Sequence, residues 1–372
     1  MVTITSVHET IPNDTDFIWR MLRRYHDVDW VGGRIRQIHS LGRNEHKENV
    51  LKQARQVKYC LKQAEEYFSA AKSVSIATQP VLLYYGVMSL AVAEYLLKSD
   101  GKSSLDANRS THKHHGLELT DCGNTNALKS EEVATIIRAK PFISQDERRG
   151  TFELWHREAR EYPIIGKRTR KYTSSTEVTT EISGYPNDRR IGEISSKGLS
   201  LADCFSALPF LAPIMYQLNL FPSYVRALNE IVEDHRTNIA ILDVIIHPTD
   251  TNLVMNVADK FLFAPSEVGR VNIHEFKSGL GFRWTVSDGD RVQARLPRSI
   301  SYLAEETYFY ADDHNLNEFG LIYVGLYILG NLARYYPDVW MWHIEKSSAL
   351  AIVSDHFFLR VNLGHRYFAC PN

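Results

Sequence analysis

Arg109, His114 and His115 stand in one short polar stretch, ANRSTHKHHGL, with four residues between Arg109 and His114 and five between Arg109 and His115. An imidazole near neutral pKa can take the proton from an attacking hydroxyl. A guanidinium fork can hold the charge that builds on a crowded phosphate. The trio therefore carries the residue types needed to cleave RNA through its own 2′-OH without a metal. The other reading is a solvated loop in which His115 caps or packs beside Gly116. Arg360 and His365 repeat the four-residue gap, across a Gly364 that is expected to end the last helix.

The densest basic run is REAREYPIIGKRTRKY, which places Arg157, Arg160, Lys167, Arg168, Arg170 and Lys171 beside Tyr162 and Tyr172. Such groups can track a phosphate backbone while tyrosines stack on bases. Equally, the run can be a charged surface loop balanced by Glu153, Glu158 and Glu161. Arg334, in LARYYPDVW, could anchor an anion or stack and pair locally among its aromatic neighbours. His247, the pair His112 and His114, and the Asp312-Asp313-His314 run each lack a completed ligand set, so no metal and no cofactor is expected. No phosphate-cradling G-x-x-x-x-G-K, no G-x-G-x-x-G and no G-x-S-x-G is present, which argues against a nucleotide-driven motor or a common serine hydrolase.

These residues need elements to position them. Residues 11–30 carry a loose apolar helical face, and Gly32-Gly33 reads as a break. From Glu48 to Lys72 the apolar or small residues Val50, Ala54, Val57, Leu61, Ala64, Phe68 and Ala71 recur at steps of four and three, one stripe of an amphipathic helix. Pro80 suits a helix start, and residues 81–98 are apolar nearly all round until Ser99-Asp100-Gly101 stops them. The two helices are expected to form an αα-hairpin that organises the first domain. Residues 150–197 are sparser in apolar groups and read as short strands or an irregular insertion. Residues 200–219 return to an apolar helical pattern cut by Pro209 and Pro213. Strands are expected at 239–246, 252–257, 281–286 and 290–296, with Ser287 to Asp290 as a hairpin turn. Helices return from Phe319 onward, and the last is expected around 347–363.

The expected fold is α+β, mainly α. An N-terminal helical region (1–149) precedes a mixed segment (150–300) with an apolar helix near 200–219, and C-terminal helices (301–372) pack on the hairpin. At 372 residues, 44% apolar and 23% charged, the chain can bury a large core, and its net charge of −1 gives no global pull toward nucleic acid or membrane. Any such binding must come from a local patch. The four cysteines are widely spaced and read as reduced thiols. MVTITSVHETIPND lacks a basic region followed by an apolar run, and Val81 to Leu97 is short and interrupted by Glu94. A cytoplasmic protein with no membrane partner is the expectation.

Three blocks carry a family likeness. YFSAAKSVSIATQPVLLYYGVMSLA, running on to His115-Gly116-Leu117, resembles the YaaC-like protein family. So do residues 200–216, with Leu201, Asp203, Leu208 and Pro209, and residues 330–340, GNLARYYPDVW. That resemblance implies a bacterial cytosolic protein and supplies no established reaction; the β-rich middle matches poorly, and residues 359–372 depart with extra His and Arg. The helical hairpin with paired tyrosines and a basic, histidine-bearing loop is also similar to HEPN domains. This second likeness implies a HEPN-like bundle, metal-independent ribonuclease activity of the kind found in toxin or anti-phage systems, and an Arg–His motif at Arg109 with His114 or His115. Two functions are carried forward. One is a nucleic-acid- or protein-binding component of a defence or toxin-like system, with RNA, DNA, another protein or a second copy of the chain as partner. The alternative is a metal-independent ribonuclease using Arg109 with His114 or His115.

Overall fold

The computed structural model describes residues 15–120, 129–159, 164–173, 176–184, 193–247, 271–276, 279–286, 301–303, 306–310 and 315–363. Helices α1 (Thr15–Leu22) and α2 (Val28–Ile38) lead into the long α3 (Lys47–Ala71). Asp27 opens α2 by accepting hydrogen bonds from the Asp29 and Trp30 amides. The helix then runs straight through Gly32-Gly33, where a break was expected. Each helical glycine costs about 1 kcal/mol, and this cap together with the burial of Val31 and Ile35 outweighs it.

The stripe of α3 is buried as its spacing predicts, from Val50 through Ala71. After a short turn α4 (Gln79–Lys98) returns antiparallel to it, with Pro80 in its first turn. By length and composition alone α4 could cross a bilayer, yet most of it is buried inside protein. Its two charges are handled internally: Glu94 pairs with Lys98 one turn on and accepts a hydrogen bond from Trp155 Nε1 at 2.7 Å.

The chain then makes a one-turn helix α5 (Arg109–His112), strand β1 (Leu117–Leu119), helix α6 (Ser130–Ile136), strands β2 (Arg138–Pro141), β3 (Ile143–Ser144) and β4 (Glu147–Arg148), and helix α7 (Thr151–Glu158). Strands β5 (Ile164–Lys171) and β6 (Glu177–Gly184) follow, then β7 (Leu199–Ser200) and α8 (Leu201–Ser206). The apolar stretch after α8 breaks into two 3-10 turns, Pro209–Leu211 and Met215–Leu218, as its prolines require. Next come β8 (Tyr224–Asp234), β9 (Ile239–His247), β10 (Val271–Phe276), β11 (Gly279–Val286), β12 (Ser301–Leu303) and β13 (Glu306–Tyr310). The chain closes with α9 (Glu318–Tyr335), α10 (Pro337–Glu345) and α11 (Ala349–Leu363).

Strands β1, β2 and β7 form a small antiparallel sheet inside the helical body. The other large sheet runs β10-β11-β9-β8, and one edge of β8 is shared. Residues 224–227 pair antiparallel with β13, while residues 230–234 pair parallel with β5. The fold is therefore α+β, with helices at both ends and a strand-rich middle, as expected. Two strands and one turn expected at 252–257, 290–296 and 287–290 lie outside the described residues.

One apolar core joins the two ends of the chain, from Trp19 to Val361. α9 lies against α4, where Tyr84 meets Tyr323 and Tyr327 edge to face. The large sheet buries a separate face through Ala227, Ile231, Leu242, Val244, Phe282 and Trp284. Cys60 and Cys204 are buried free thiols, and burial pushes the Cys60 thiol up to about 12. Cys122 and Cys370 lie outside the described residues.

Candidate functional site

The His114–Gly116 segment is held first through its backbone. Thr151 N donates to the His114 carbonyl at 2.9 Å and Phe152 N to the His115 carbonyl at 3.0 Å, so the loop caps the open amides of α7. The approach is close because Gly116 (φ +89°) and Gly150 (φ +115°) cross without side chains. A Cβ on Gly150 would lie 2.2 Å from Gly116 Cα. The clamp turns the two histidines apart. His114 stacks on Phe142 at 4.8 Å, while His115 points inward and its Nδ1 is hydrogen-bonded to Tyr84 Oη at 2.9 Å.

Arg109 does not join them. Its side chain is 77% exposed and pairs with Asp106 at 3.4 Å, and Asp106 also takes Lys52 at 2.8 Å. The neighbouring Asn108 is tied to Tyr95 Oη at 2.9 Å, whereas His115 is tied to Tyr84. Those anchors are eleven residues apart on α4, about 16 Å along the helix axis.

The cation beside His115 is Arg334, near the end of α9. Tyr323, Tyr327 and Arg334 sit at i, i+4 and i+11, which places their polar tips on one face of an otherwise apolar helix. Tyr327 Oη donates to the Leu117 carbonyl at 2.7 Å. Arg334 Nη1 donates to Tyr85 Oη at 2.6 Å, and its guanidinium carbon lies 5.6 Å from the Tyr85 ring centre and 4.7 Å from that of Tyr335. Tyr67 stacks on Tyr85 at 5.7 Å. Arg334 is half-buried, its Nε is buried without a hydrogen-bond partner, and no carboxylate lies within 4.0 Å of it among the described residues.

The electrostatics follow from this packing. Burial lowers the His115 pKa, and the Arg334 charge and then His114 lower it further, so the imidazole is neutral at pH 7. Burial raises Tyr84 and pushes Tyr327 up to about 12, so these phenols stay protonated. The surroundings of Arg334 thus hold one cation without a carboxylate partner among the described residues, one neutral base and several phenol rings. No group of three or more His, Cys, Asp or Glu that could hold a metal ion occurs among the described residues.

The basic run is dispersed. Arg157, in the last turn of α7, donates to Glu153 at 2.6 Å. Arg160 and Tyr162 lie outside the described residues. β5 carries Lys167, Arg168, Arg170 and Lys171, and strand alternation sends Arg168 and Arg170 to one face and Lys167 and Lys171 to the other. Buried Glu233 accepts from Arg168 at 2.6 and 2.7 Å and from Arg170 at 3.2 Å. Tyr172 stacks on His235 at 4.9 Å. Arg360 is exposed on α11, and its partner in the four-residue motif, His365, lies outside the described residues, as do Asp312, Asp313 and His314.

Against known proteins, a family model described as YaaC-like Protein matches residues 34–361. No curated protein and no solved structure matches the chain.

Proposed function

The chain belongs to the YaaC-like protein family, and we propose that it binds a phosphate-bearing nucleic-acid ligand at Arg334 and the neighbouring His115. Arg334 carries this reading. A half-buried guanidinium without a carboxylate leaves charge and an Nε–H donor unmatched, and a planar fork of donors suits a phosphate. Neutral His115 and the Tyr85 hydroxyl add neutral hydrogen-bonding groups around the same space. The runs at 157–171 supply less, because Glu153 and Glu233 already hold three of their arginines. The bacterial defence or toxin-like setting, and a protein partner or second copy, rest on the family and hairpin resemblances alone.

A second reading, metal-independent RNA cleavage, is favoured by the lowered pKa of His115, which keeps a proton acceptor available at pH 7. In this reading Arg334 takes the charge-stabilising role expected of Arg109.

One set of purified proteins tests both. Labelled single-stranded RNA and DNA are titrated with wild type, Arg334→Gln and Arg109→Gln by fluorescence anisotropy. Losing one buried charge-assisted contact should weaken binding by about tenfold or more in the Arg334 variant and leave the exposed Arg109 variant close to wild type. Equal affinity of wild type and R334Q would remove the site. Incubation of the same RNAs in EDTA, with His115→Ala added, separates the readings. Cleavage lost in H115A and kept in R109Q makes the protein a ribonuclease, while intact RNA throughout leaves the binding role.

A further inference from the structure

Resting on that reading, we propose that the ligand is an unpaired nucleotide whose base stacks on Tyr335 while its phosphate meets Arg334. Tyr335 is 65% exposed, a large ring left in solvent at the end of a helix that buries most of its other residues. Its position is not random on that surface. The Arg334 guanidinium lies against its ring at 4.7 Å. Tyr335 therefore stands beside Arg334, whose guanidinium also meets Tyr85.

The chemistry narrows the occupant. An inorganic anion would use Arg334 and leave the ring idle. A paired duplex offers no free base face to a side-chain platform. A single-stranded nucleotide presents a phosphate and an aromatic face a few ångströms apart, which matches a guanidinium set beside an open ring. Stacking on an aromatic is tolerant of base identity, so little sequence preference is expected.

Anisotropy titration with a short labelled oligoadenylate and an abasic oligomer of equal length and charge tests the inference. Wild type should bind the oligoadenylate about tenfold more tightly than the abasic strand. Tyr335→Ala should erase that preference with an unchanged melting profile, and Tyr335→Trp should restore it. Equal binding of the two strands by wild type, or a preference that survives Y335A, would overturn base stacking on Tyr335 and leave the anion site standing. Failure of wild type to bind either strand would overturn the anion-site reading and this inference with it.

Discussion

His114 and His115 are adjacent in the chain, yet only His115 turns toward Tyr84, because the crossing of Gly116 and Gly150 decides which ring turns inward. A similar dependence on surroundings governs His343. Its Nδ1 is bonded to Ser348 Oγ at 2.9 Å, its Nε2 is buried without a partner, and burial lowers its pKa. His26 is lowered too, by burial and by Lys62. The sign is the same for all three. The unfolded chain takes up protons near the ordinary histidine pKa of about 6.5, and the folded protein resists them to lower pH. Their contribution to stability is complete above that value and is lost as pH falls through the folded-state pKa values. Thermal melts at about pH 7.5 and about pH 5 should show a lower Tm in acid, with a smaller drop in His343→Phe. An identical pH dependence in the variant would show that His343 is not among the responsible groups.

The site depends on short elements that carry little signal of their own. α7 has eight residues and begins at a glycine in a conformation that side chains avoid. Periodicity over TFELWHRE is too brief to separate it from the irregular segment expected there. What makes it a helix is the pair of carbonyls from the His loop that cap its first amides, and both carbonyls arrive from 37 residues upstream. Gly150→Ala adds left-side backbone strain and a Cβ where Gly116 already sits. We expect it to cost about 3 kcal/mol of stability, read by denaturant melts, and, under the proposed function, to weaken RNA binding by unseating His115. A variant as stable as wild type would mean that the crossing can open at no cost. β5 makes a related point: its basic residues are legible in sequence, but strand alternation and Glu233 decide that they form no single cationic surface.

Across the whole molecule, the ends of the chain share one core while the sheet buries its own apolar face. Two helices apolar nearly all round, α4 and α9, pack against each other through Tyr84, Tyr323 and Tyr327. Ala91 is fully buried on α4. Ala91→Asp would place an unpaired carboxylate in the core, and no soluble folded protein is expected. Recovery of a soluble A91D protein that melts cooperatively would count against α4 as the centre of the core. The hairpin, the proline-cut segment after α8 and the strands at 239–247 and 279–286 were legible because periodicity, prolines and β-branched runs act locally. α2 was obscured by Gly32-Gly33, whose unfavourable propensity is overridden by burial.

Amino-acid order alone determined the amphipathic α3, the apolar α4 and α9, the strand-rich middle and the α+β class, since each follows from local spacing and the need to bury apolar surface. It also offered Arg109, His114, His115 and Arg334 as chemistry without saying which would meet. Tertiary structure decided that. Arg109 is drawn to Asp106, the glycine crossing aims His115 at Tyr84, and the packing of α9 on α4 brings Arg334 beside it. Arg334 and His115 are 219 residues apart in sequence, and only the burial of two distant helices against each other makes them neighbours.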